Sequence, residues 1–109
     1  MANIYKNAKV DLTANTATTV YTVPSDSRSI VKSIIVSEDS GNADSITLTI
    51  TDASSNVFSL FKTKAVSANA TLELLSQPLV LQESEILKAT AATADRLHIV
   101  VSVLEINRS

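Results

Sequence analysis

Residues 45–52 read SITLTITD, with Ile46, Leu48 and Ile50 at one parity and Ser45, Thr47, Thr49 and Thr51 at the other. A period of two sends these sets to opposite faces of a strand, one for a core and one for water. Threonine suits the wet face because its branched β-carbon fits an extended backbone. Weaker forms of the same pattern predict strands at 8–13, 18–23, 29–37, 57–62, 71–75, 79–81, 86–90 and 97–106. Short apolar segments punctuated this regularly by turn residues predict an all-β fold. The expected architecture is a single antiparallel β-sandwich, jelly-roll-like, of about eight or nine strands.

The turns draw on one glycine, Gly41, and otherwise on Ser, Asn, Asp and Ala, as in SEDSGNAD at 37–44 and DASSN at 52–56. Asn and Asp bond their own backbone and tolerate left-handed geometry, so they can stand in for glycine. Pro24 and Pro78 fall where a strand must end or begin, since neither can donate to a ladder. Over 79–92 the apolar residues bunch as LVL and IL without a sustained helical rhythm. Two short strands around the turn QESE are therefore expected there in place of a helical turn.

Two strands carry more aliphatic residues than one buried face needs. In 29–37, alternation puts Ile30, Ile34 and Val36 on one face with Lys32, and Val31 and Ile35 on the other with serines. In 97–106, Leu97, Ile99, Val101 and Val103 share one face, and Val100, Leu104 and Ile106 the other. A lone sandwich wets one side of each strand, and a bare apolar second side marks an interaction surface. Two covers are open: the N-terminal segment or a loop of the same chain, or a neighbouring subunit.

Composition narrows the classes. With 109 residues the chain is long enough for one domain and too short for two. Nine basic against eleven acidic residues, spread along the chain, give a net charge of -2. That balance predicts neither nucleic-acid binding nor an anchor for anionic lipid. There is no cysteine, which excludes disulfides and thiolate metal sites. No apolar run follows the charges of MANIYKNAKVDL, and none is long enough to span a membrane as a helix. The expectation is synthesis and folding in a cytoplasm without export.

Candidate chemistry is thin. His98 is the single histidine, and alternation leaves it on the face of Val100 and Ser102, away from Leu97 and Ile99. One His without Cys cannot assemble a His-rich zinc site, and no G-x-S-x-G elbow supports a serine triad. Glu38, Asp39 and Asp44 lack the register of a calcium loop and are expected to be a solvated hairpin tip. Glu83 and Glu85 are expected as exposed turn charges. One glycine precludes a Gly-rich phosphate loop. There is no Trp, and Phe58 and Phe61 are expected on opposite faces of one strand, which leaves no platform for stacking sugars or bases. Catalytic residues, cofactors, metals and a small-molecule substrate are therefore not expected.

A resemblance adds to this reading. VYTVPSDSRSIVKSIIVS at 20–37, the alternating SITLTITD, LELLSQPLVLQESEILKAT at 72–90 and the closing VVSVLEI resemble small structural proteins of tailed-bacteriophage particles. The resemblance spans roughly residues 16–107, and departs from the group's pattern at Ser84-Glu85, where Gly-Asp is usual. It implies a virion protein, made in the host cytoplasm, without an active site. The first expectation is a capsid decoration (cement) protein that binds itself as a dimer or trimer, and a major capsid protein across neighbouring subunits. The alternatives are a tail, fibre or baseplate component, or a receptor- or glycan-binding module using loops 37–44 and 52–56. Residues 1–15 are expected as an N-terminal arm and first strand, with 2–9 able to add a strand to a partner's sheet edge, and residues 16–109 as the sandwich. Expected contact residues are Val31, Ile35, Val100 and Leu104.

Overall fold

The computed structural model describes residues 2–107, and Met1, Arg108 and Ser109 lie outside that range. Nine strands follow in order: β1 (Ala2–Leu12), β2 (Thr18–Thr22), β3 (Ser27–Glu38), β4 (Asp44–Thr51), β5 (Val57–Val66), β6 (Thr71–Glu73), β7 (Leu79–Leu81), β8 (Ile86–Ala91) and β9 (Leu97–Asn107). They form two antiparallel sheets. The first has the order β1-β9-β3-β6, with β7 also on β3, and the second the order β2-β8-β4-β5. Their inner faces enclose a core that includes Leu12, Ile34, Ile46, Leu48, Leu81, Leu87, Leu97 and Ile99, all with no exposure. The protein is a β-sandwich, as the alternation predicts.

The first strand departs from expectation. Residues 2–9 are not a free arm: β1 pairs with β9 over its whole length, from Ala2 opposite Asn107 to Leu12 opposite Leu97. A division at residue 15 has no counterpart between the sheets, because β1 is a full member of the first one. Ala8 and Val10 pack against the core, while Ile4, on the same side, is 50% exposed.

Strand β3 departs in a way that matters for contact. Its pairing with β9 shifts between Val31 and Ser33, so one residue, Lys32, is bulged. A bulge reverses the in–out alternation after it. Val31, Ile34 and Val36 consequently all face the core with no exposure, while Ile30 and Ile35 face outward. Strict alternation puts Val31 with Ile35, and the bulge separates them. On its other side β3 pairs with β7 at 29–31 and with β6 at 35–37. Glu73 fills the gap, its carboxylate accepting from the Ser33 hydroxyl, Ile34 N at 2.8 Å and Leu75 N at 3.2 Å.

Bulges reposition two aromatic residues as well. A shift between Thr19 and Tyr21 lets neighbouring Val20 and Tyr21 both point inward. In β5, Phe58 pairs with Ile50 and Phe61 with Leu48, so both lie on one face and not on opposite ones. Phe61 packs against the core, and Phe58, beside the 52–56 turn, is 56% exposed.

Candidate functional site

The two outer faces of the sandwich differ in chemistry. On the second sheet, cross-strand register sets Thr19 beside Lys88, Lys88 beside Thr49 and Thr49 beside Ser59, with Thr90 beside Thr47. Hydroxyls and a lysine dominate that face, and its aliphatic residues, Ile86 and the 62% exposed Val57, are confined to one end beside Thr51. On the first sheet, the row Val80, Ile30, Leu104, Tyr5 crosses four strands without a charged residue. A second row runs Glu73, Ile35, Val100, Lys9, apolar in the middle and charged at both ends. Between them lies a shallow depression lined by Lys32, Ser102, Asn7 and Tyr5. Tyr5 is 76% and Val80 60% exposed. Clustered aliphatic and aromatic surface of this kind is characteristic of protein contact.

Of the expected contact residues, the structure brings three together. Ile35 and Val100 are direct partners in register, and Leu104 shares their face between Ile30 and Tyr5. Val31 does not join them, since it lies wholly in the core. Tyr5 and Val80 extend the face beyond what alternation along β3 and β9 could show. The signal for Tyr5 was an aromatic residue in a polar segment, and it acquires meaning only once β1 is paired.

A buried polar network ties the sheets together. Tyr21 of β2 donates its phenolic proton to Glu105 of β9 at 2.5 Å, and the Ser29 hydroxyl of β3 lies 2.6 Å from the Tyr21 phenolic oxygen. Lys6 of β1 reaches the Glu105 carboxylate at 3.2 Å. Because the phenol has one proton, Ser29 is the donor in its own bond. Burial first, and the hydrogen bond to Glu105 second, push the Tyr21 phenol well above its ordinary value. Four strands from both sheets meet in this network, and every member has a partner, as buried polar groups require.

Glu38 is the acid that sequence reasoning misplaced. It is 2% exposed, not solvated, and its carboxylate organises two loops. It accepts from the Ser40 hydroxyl, from Ser40 N at 2.8 Å, from Gly41 N at 3.0 Å and, across the fold, from Asn69 N at 3.0 Å. Burial opposes its charge, but these donors together outweigh burial and lower its pKa from 4.5 to about 2. Glu73 is lowered too, its hydrogen bonds overcoming burial, and Asp52 is lowered chiefly by Asn56 N. A carboxyl with a depressed folded pKa stabilises above its unfolded value and loses that contribution as pH falls through the folded one. Melting temperature is therefore expected to drop as pH falls from 4.5 toward 2, with the loops around Glu38 among the contributors. Glu38→Gln should melt lower at neutral pH and lose less on acidification, as read by circular dichroism.

His98 stands on the outer face of the first sheet, as alternation predicts, at the far end from Tyr5. Its Nε2 lies 3.2 Å from Asp11 and its Nδ1 3.4 Å from Asp39. The pairing joins β1, β9 and the β3–β4 turn, so both ring nitrogens face carboxylates. Among the described residues no cluster of three or more His, Cys, Asp or Glu side chains could hold a metal ion.

No protein-family model and no curated protein sequence matches the chain. Among solved structures it is similar to a chain from Bacillus endospore appendages, which are described as a novel family of disulfide-linked pili. The superposition has a TM-score of 0.58 and covers 98% of this chain and 89% of that one, at 12% identity. At that identity the likeness is one of fold.

Proposed function

We propose that this chain is a non-enzymatic structural protein of a tailed-bacteriophage particle, and within that class a capsid decoration protein bound across neighbouring capsid subunits. The observation that carries the proposal is the contrast between the outer faces, one hydroxyl-rich and the other crossed by Val80, Ile30, Leu104 and Tyr5. An enzyme sets a few convergent polar groups in a cleft; a scaffold spends its apolar surplus on a face that another protein covers. The strand orders β1-β9-β3-β6 and β2-β8-β4-β5 also support the reading, because interleaved Greek keys of this kind make the jelly rolls of viral capsid domains. The sequence resemblance to phage structural proteins points the same way. Repetition on a symmetric shell would multiply modest contacts into firm attachment.

A tail or fibre component is the second reading, favoured by the likeness of fold to a pilus chain. That pilus is disulfide-linked, whereas this chain has no cysteine, so a fibre built from it would be held without disulfides.

The test is to add purified protein to phage particles lacking it, then to sediment and image them. Decoration predicts saturable binding to heads and a higher temperature of DNA release. Binding to tails alone would transfer the assignment to the second reading, and no binding to any part of the particle would sink both.

A further inference from the structure

The row Glu73–Ile35–Val100–Lys9 places an acid and a base at opposite ends of an apolar centre. Such a row is complementary to its own reverse. We infer that the outer face of the first sheet binds a second copy of this chain, face to face, about a two-fold axis running along the strands between β3 and β9. The inference rests on the reading of this face as a contact surface and names a second copy as its occupant, which leaves the capsid to be met by the other surfaces of the dimer.

The axis follows from the side chains. A rotation along the strands lays β3 of one copy over β9 of the other, and β6 and β7 over β1. Ile35 then meets Val100, Ile30 meets Leu104 and Val80 meets Tyr5, each contact occurring twice as an isologous interface requires. Glu73 of each copy lies over Lys9 of the other, so both ends of the row are neutralised. A rotation across the strands would instead stack Lys32 on Lys32 over the depression beside Ser102 and Asn7. The chosen axis sets each Lys32 over that polar strip of its partner. Aligned packing of two sheets at about 10 Å is a common arrangement for apolar faces of this kind.

Sedimentation velocity over a concentration series tests the pairing. Wild-type protein is expected to dimerise with a Kd on the order of micromolar. Leu104→Lys, which puts a charge at the apolar centre and leaves the core untouched, should weaken the dimer by about a hundredfold or more. Lys9→Glu should weaken it about tenfold by setting acid against acid. Glu73→Lys alone should do the same, and an equimolar mixture of Lys9→Glu and Glu73→Lys proteins should recover dimer, because both charge pairs are restored in the heterodimer. Glu73 also caps the β3 bulge, so if Glu73→Lys melts early, Leu104→Lys and Lys9→Glu carry the test. Wild-type protein that stays monomeric at about a hundred times that concentration overturns the inference, as does a dimer indifferent to Leu104→Lys. Neither result touches particle binding, which the reconstitution described above decides separately.

Discussion

Val31→Lys is expected to prevent folding, whereas Ile35→Lys should leave a stable sandwich. The two positions lie four residues apart on one strand, and uninterrupted alternation would give them the same fate. The bulge at Lys32 separates them: Val31 has no exposure and Ile35 has 37%. A lysine at 31 must bury an unpaired ammonium among Leu and Val side chains or push the sheets apart. Either costs several kcal/mol, comparable with the ~5–15 kcal/mol that holds a domain together. At 35 the ammonium reaches water beside Glu73, its cross-strand neighbour, and the change should stay within about 1 kcal/mol. Circular dichroism and a thermal melt on both proteins check the contrast. Two folded proteins of equal stability would mean that the bulge is misplaced.

Tyr21→Phe carries the second large effect. The phenol donates to a carboxylate that is nearly buried, and its oxygen accepts from Ser29. Removing it leaves Glu105 with Lys6 alone and Ser29 without its partner. Loss of a hydrogen bond to a charged group, with a hydroxyl orphaned beside it, should cost about 2–3 kcal/mol. For a domain of this size that lowers the melting temperature by roughly 10 °C. Lys6→Ala should cost much less, because the Lys6 side chain is 47% exposed and water can replace it at Glu105. A Tyr21→Phe protein that melts with the wild type would show that the network does not bind the sheets together.

What alternation could show, it showed well. All of SITLTITD but its final Asp52 lies in β4, and the inward set of β9, Leu97, Ile99, Val101 and Val103, lies in the core as its period demands. The failures share one cause, which is information held by residues distant along the chain. The bulge in β3 depends on Glu73, whose carboxylate meets Ser33 and Ile34 some forty residues earlier. β1 looks like an arm because Asn3, Lys6, Asn7 and Lys9 are polar, yet it becomes a strand by pairing with β9 at the other end of the chain. Glu38 looks like part of a wet hairpin tip until Asn69 arrives from another loop. A period of two reveals which residues can share a face, and only the partners decide where the count slips.

The slip at Lys32 also sharpens the candidate surface. Without Val31, and with Tyr5 and Val80, the face becomes two ordered rows across four strands. Lys6 and Lys9 along β1 discourage a stray strand from adding at that edge, so the flat of the sheet is the better contact surface.

Electron cryomicroscopy of the assembled phage particle tests the central claim most directly. The account predicts density for this sandwich on the outside of the head, with the face formed by Ile30, Ile35, Val100, Leu104 and Tyr5 covered by protein. A particle without the chain, or one in which that face lies bare to solvent while the threonine-rich face makes the contacts, would contradict it.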